Sequence, residues 1–107
     1  MSDQRIRILF TGGGGAGTIE VIRALKATGR YYVIAADAGE HSAGFPLADK
    51  KYVIPWGIDP AFAAAMRAML AREQPHFVVP LVDEEIPIVH RLVTEEFPTV
   101  KVVAPSL

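Results

Sequence analysis

Ile6-Arg7-Ile8-Leu9-Phe10-Thr11-Gly12-Gly13-Gly14-Gly15-Ala16-Gly17-Thr18-Ile19 passes from an apolar run through a block of glycines into a helical pattern. Ile6 to Phe10 has strand character, and Thr11 with the four glycines stops it. From Ala16 to Thr28 the apolar Ile19, Ile22 and Leu25 recur at helical spacing, with Glu20, Arg23 and Lys26 on the wet side and Gly29 as terminator. Gly12, Gly14 and Gly17 satisfy G-x-G-x-x-G between a strand and a helix, the context that gives the motif meaning. Glycine lets the chain turn tightly at positive φ. It also lets bare backbone N–H groups approach an anion at the positive end of the helix.

Strand and helix patterns alternate along the rest of the chain. Tyr31 to Ala36 is apolar throughout, so both faces of that strand should be covered. Ala38 to Lys50 reads as a long loop, a candidate mobile or functional segment. Tyr52 to Ile54 follows as a short strand, and Asp59-Pro60 reads as an N-cap with proline at the first helical position. Phe62, Met66, Met69 and Leu70 then form one apolar stripe on a helix. Phe77 to Val79 is a strand ended by Pro80. Glu85 to Phe97 is a helix with Ile86, Val89, Val93 and Phe97 inward, and Pro87 confines its start to Asp83–Glu85. Val100 to Val103 closes the series, with Lys101 marking an edge strand. Alternating βαβ units call for a parallel sheet with right-handed crossovers. With the short third strand and the Lys-bearing fifth at the edges, the expected fold is α/β, a Rossmann-like doubly wound five-stranded sheet of order 3-2-1-4-5.

Composition narrows the chemistry. A chain of 107 residues, half of them apolar, suits one domain with a real core (residues 1–107). With 11 basic and 12 acidic residues interspersed and a net charge of −1, no nucleic-acid or membrane partner is expected. The absence of cysteine excludes disulfides, thiolate nucleophiles and cysteine metal sites. No apolar run approaches the roughly 20 residues that span a bilayer. Met1-Ser2-Asp3-Gln4-Arg5 lacks the build of a signal peptide, so the expected location is cytoplasmic.

Two places carry candidate site residues. The first is Gly12, Gly13, Gly14, Gly15, Ala16 and Gly17, with Asp37 at the end of the second strand, where an aspartate can accept hydrogen bonds from a ribose. The glycines read either as an anion site or as a tight turn over solvent. They are not a phosphate loop of the G-K-[ST] kind, because Thr18 stands where the lysine would be. The second place is Asp83-Glu84-Glu85, whose acids either cap the helix or bind a ligand. In the order 3-2-1-4-5 the loops after strands one and four flank the topological switch point, so the two places should line one crevice. A ligand with both signs of charge fits such a crevice: its carboxylate or phosphate meets Gly13 to Gly15 and its ammonium meets the acids. His41, His76 and His90 have no metal-site spacing and are expected to be structural or solvated. Ser42 and Ser106 lack a nucleophile-elbow context, and Trp56 suits a sheet edge or a neighbouring domain.

Several pieces resemble a known family: Ile8-Leu9-Phe10-Thr11 with its glycines, Ala48-Asp49-Lys50-Lys51-Tyr52-Val53-Ile54-Pro55, Pro80-Leu81-Val82-Asp83-Glu84-Glu85, and Val102-Val103-Ala104-Pro105-Ser106. They are similar to the N-terminal domain that precedes an ATP-grasp domain, most of all in the carbamoyl-phosphate-synthase-like and pyrrolysine-biosynthesis-like branch. The resemblance implies a ligase that joins a carboxylate to an amine or other nucleophile through an acyl phosphate made with ATP. It places the ATP site, its lysines and the Mg2+-binding acids in central and ATP-grasp domains outside residues 1–107. This chain would then carry no catalytic residue, metal or cofactor. It would form one wall of the site for a carboxylate or amino-acid-like substrate, with the remaining domains as partners in cis or in trans. The competing reading is a nicotinamide- or nucleotide-binding Rossmann domain that holds its cofactor through Gly12–Gly17 and Asp37. A third is a small regulatory ligand-binding module.

Overall fold

The computed structural model describes residues 4–12, 16–39 and 45–103. The strands are β1 (Ile6–Thr11), β2 (Tyr31–Asp37), β3 (Lys50–Val53), β4 (Phe77–Pro80) and β5 (Lys101–Val102). The helices are α1 (Ala16–Ala27), α2 (Phe62–Glu73) and α3 (Ile86–Glu96), with a 3-10 turn at Phe45–Leu47. The strands form one sheet of order β3-β2-β1-β4-β5, and every pairing is parallel. The fold is the α/β Rossmann-like architecture expected from the alternating pattern. Among the described residues no helix is long and apolar enough to cross a membrane.

Alternation along the strands sorts the core into two layers. Leu9, Ile34 and Val78 point to one face and pack against Phe62, Met66 and Leu70 of α2 and Val89 and Leu92 of α3. Phe10 and Val33 point to the other face and meet Ile22 of α1. Val33 to Ala36 are fully buried, as expected of a strand covered on both faces.

Where boundaries differ from the sequence reading, local chemistry explains it. The third strand begins at Lys50 rather than Tyr52 and ends at Val53. Lys50 and Lys51 are exposed on an edge, where charge is tolerated and hides a strand from a hydrophobicity reading. The expected long loop is correspondingly shorter: Phe45 is buried in the 3-10 turn, and Asp49 is tied to β2. Asp49 N–H donates to Val33 O at 2.8 Å, and Asp49 Oδ2 accepts from Val33 N–H at 2.8 Å. Of the loop expected to be mobile, Ala38 to Lys50, residues 40–44 lie outside the described residues.

Helix α2 starts after Asp59-Pro60, not at them. Asp59 Oδ1 accepts from Ala61 N–H at 2.8 Å, a local turn in which the side chain mimics a backbone carbonyl. Ala61 is then the N-cap, without a side-chain cap bond. At the other end Gln74 adopts a left-handed conformation (φ 46°). Arg7 donates to the last carbonyls there, Glu73 O at 3.1 Å and Gln74 O at 2.9 and 2.8 Å. On α3 the inward face includes Leu92, missed in the sequence, and Phe97, the half-buried C-cap, packs against the same core as expected.

Candidate functional site: the crevice between β1 and β4

All strands run the same way, so the loops that follow them gather at one edge of the sheet. Gly12 leaves β1 at φ +66°, a left-handed conformation that favours glycine. Its N–H donates to Ala36 O at 2.8 Å, which holds it against the end of β2. A Cβ on Gly12 would lie 2.7 Å from Val82 Cγ2. The first glycine of the motif therefore permits contact between the β1 exit and the segment after β4, the juxtaposition expected from strand order.

Between these loops lies Thr11, the fully buried last residue of β1. It pairs with Pro80, which ends β4 and supplies no N–H. Thr11 Oγ1 accepts from Leu81 N–H at 3.3 Å, continuing the tie between β1 and β4 beyond the proline. The same hydroxyl faces the carboxyl of Glu85 and favours its charged form.

Glu85 is the residue that most needs explanation. It is only 5 % exposed, and its Oε1 finds no partner among the described residues. Burial pushes its carboxyl above the ordinary glutamate value. The Thr11 hydroxyl pulls the other way, and the nearby charges of Asp37 and Glu84 push it further up. Its position comes from a turn after β4, in which Glu85 N–H donates to Val82 O at 2.9 Å and Ile86 N–H to Asp83 O at 3.3 Å. Pro87 then falls at the start of α3, where its missing N–H costs nothing. Glu85 is the N-cap residue by position, yet its side chain makes no cap bond. Asp83 and Glu84 are exposed, and the bond from Asp83 to the helix start comes from its main-chain carbonyl.

The other candidates fall around this group. Asp37 ends β2, and its Oδ1 accepts from the N–H of Ala38 at 2.8 Å. Gly17 is exposed in the first turn of α1, and a Cβ there would meet nothing within 4 Å among the described residues. Sterics therefore do not demand the third glycine of the motif. Gly13, Gly14 and Gly15 lie outside the described residues, and of Ala16 the structure describes only its place at the start of α1. His76 is structural: its Nδ1 accepts from Arg7 N–H at 2.9 Å. His90 is exposed on α3, and His41, Ser42 and Ser106 lie outside the described residues. Among the described residues no group of histidines and acids could hold a metal ion.

Two members of the site were not singled out in the sequence, Thr11 and Gly57. Gly57, in the loop after β3, lies against the acids: a Cβ on it would sit 2.8 Å from Glu85 Cγ and 3.4 Å from Glu84 Cβ. Its signal was weak, a lone glycine between Trp56 and Ile58. Both of those neighbours are exposed, at 67 % and 81 %.

A parallel sheet of order β3-β2-β1-β4-β5 with a buried acid and two exposed ones beyond the end of β4 defines the class, a Rossmann-like α/β domain. The chain belongs to the family described as PylC-like, N-terminal domain, which it matches over residues 8–103. It is 35% identical over 83 residues to formate-dependent phosphoribosylglycinamide formyltransferase of Paraburkholderia xenovorans, across 78% of this chain and 19% of that protein. The same enzyme of Burkholderia vietnamiensis is 36% identical over 83 residues, with 78% and 19% covered. The chain thus spans about a fifth of the length of these relatives. Among solved structures, glycinamide-RNase-transformylase T from Mycobacterium tuberculosis superposes with a TM-score of 0.72 at 21% identity, over 90% of this chain and 28% of that one. The dTDP-glucose 4,6-dehydratase of Bacillus anthracis in complex with NAD gives 0.67 at 20% identity, over 92% and 36%. These two likenesses establish the fold.

Proposed function

We propose that this domain forms one wall of the substrate site in an ATP-dependent carboxylate–amine ligase of the ATP-grasp type, similar to the large chain of carbamoyl-phosphate synthase. Catalysis, ATP and Mg2+ belong to the domains that accompany it. The observation that carries the reading is Glu85, a buried carboxyl with an oxygen that has no partner among the described residues and with the charges of Asp37 and Glu84 nearby. Such a group costs stability unless a donor arrives. An ammonium group or another N–H-bearing group of the substrate would satisfy Oε1 and offset the repulsion from Asp37 and Glu84. The substrate's carboxylate or phosphate would face the backbone N–H groups of Gly13 to Gly15, since that of Gly12 is taken by Ala36 O.

The acids weigh against the nicotinamide reading. A dinucleotide pyrophosphate laid on the glycine loop would bring negative charge toward Glu84 and Glu85 with no ammonium to offset it, which like-charge repulsion disfavours, although Asp37 suits a ribose in that reading. Nor does a lysine follow the glycines to neutralise a phosphate. The test is kinetic. In the complete enzyme, Glu85→Gln should raise KM for the amine-bearing substrate by about tenfold or more, the worth of a hydrogen bond to a charged group. KM for ATP should stay unchanged. A normal substrate KM in that variant would remove the site assignment, and NADH binding by this chain would restore the competing class.

A further inference from the structure

The two faces of the sheet are covered unequally. Helices α2 and α3 lie on one face, contributing Met66, Leu70, Val89 and Leu92 to its core. On the other face α1 packs through Ile22 against Phe10 and Val33, on β1 and β2. Beside α1 the same face opens into an apolar groove of about 360 Å³ over β1 and β4, lined by Ile8, Phe10, Val21, Phe77, Val79 and Val103 among others. Val21 and Val103 are 47 % and 52 % exposed. Parallel sheets are ordinarily covered on both faces, and contiguous exposed apolar surface of this kind marks an interaction site.

We propose that this groove is the seat of an amphipathic helix belonging to the polypeptide that follows β5 in the whole enzyme. The inference rests on the reading of the chain as the N-terminal domain of a longer ligase. Two observations choose this occupant over a second copy of the chain. The shared region is 19% of the relative's length, and the matching family model is described as an N-terminal domain, so the remaining polypeptide is placed after it. Val103, the residue just after β5, is itself a wall of the groove, so a chain leaving β5 is already at its edge. A helix laid antiparallel to β1 and β4, beside α1, would complete the second layer. Its apolar positions would recur at i, i+3, i+4 and i+7.

The chain contains no cysteine, so a single introduced thiol reports on the groove. Val21→Cys should react readily with a maleimide in the 107-residue chain. It should react at least about tenfold more slowly in the product of the complete reading frame, as buried positions do. Ala27→Cys, on the exposed last turn of α1, should react equally in both. Equal rates for Val21→Cys in the two proteins would overturn the proposal, as would a reading frame that adds nothing after β5. Slow, concentration-dependent labelling of the 107-residue chain, with a dimer in sedimentation, would overturn it in favour of self-association. ATP-dependent ligation is measured separately. Protection without ligation leaves the groove assignment standing and removes the ligase reading, and ligation with an unprotected thiol does the reverse.

Discussion

Gly57 and Glu85 are in contact across the mouth of the crevice, close enough that a Cβ on Gly57 would fall 2.8 Å from Glu85 Cγ. The loop after β3 thereby limits where the buried carboxyl can go. An alanine at 57 must displace the glutamate, and overpacking of this kind costs about 1–3 kcal/mol. Gly57→Ala should therefore lower the thermal midpoint. In a Glu85→Ala background, where Cγ is gone, most of that cost should disappear. A cycle in which the two substitutions simply add would show that the Gly57 backbone, not the contact, sets the cost.

Glu85→Gln should stabilise the isolated domain at neutral pH. The native carboxyl titrates above its ordinary value, chiefly through burial. Ionised Glu85 therefore opposes folding fully above its native pKa, and the penalty fades as the pH falls toward the unfolded value of 4.5. A melting series from pH 4 to 8 checks this (about pH 4 and 8 bracket the titration). The variant should gain about 1 kcal/mol at the upper end, the lower bound for an unpaired buried acceptor, and converge with the parent at the lower end. A variant less stable than the parent throughout would make Glu85 a helix cap after all.

Asp49 should show the opposite sign. Burial pushes its carboxyl up, but the Lys26 hydrogen bond, the Val33 N–H and the charges of Lys26 and Arg5 outweigh that and hold it below the ordinary value of 3.8. Its contribution is complete above pH 3.8 and is lost as the pH falls through the lower native pKa. Asp49→Asn should cost about 1 kcal/mol at neutral pH, allowing for the partly exposed lysine. The difference should close in acid denaturation.

Gln74→Gly should be a stabilising change. Gln74 ends α2 at φ 46°, and its N–H donates to Leu70 O. A side chain in the left-handed region costs about 1 kcal/mol that glycine avoids, partly offset by glycine's greater unfolded-state freedom. A net gain of about 0.5 kcal/mol in urea denaturation is expected. A loss would show that Gln74 makes a contribution beyond its backbone.

The sheet order was legible because it follows from a few local signals. Charged Lys101 pointed to one edge, the shortness of the Tyr52 run pointed to the other, and Pro87 limited where α3 could begin. Element boundaries were less legible wherever polar residues took structural work. Lys50 and Lys51 are strand residues without apolar alternation, and the Asp59 side chain completes a turn before the helix rather than the helix itself. The crevice was half legible. The approach of Gly12 to Val82 could be deduced from topology, but not that Glu85 is buried while Asp83 and Glu84 are exposed. That difference arises from Thr11, Asp37 and Gly57, brought together only by the fold. Likewise, Asp49 stood out in the family-like stretch, yet its clasp on Val33 and Lys26 could not be read from it.

The pairing of Arg7 N–H with His76 Nδ1 joins residues 69 positions apart, and it has a consequence for how the chain acquires its structure. One edge of β1 is satisfied early, by β2 after a single crossover. The other must await β4, after a much longer loop has closed at an entropic cost that slows such topologies. Until then β1 presents an open apolar edge of the kind that pairs with other copies. Refolding yield is therefore expected to fall as chain concentration rises, which refolding over a dilution series checks.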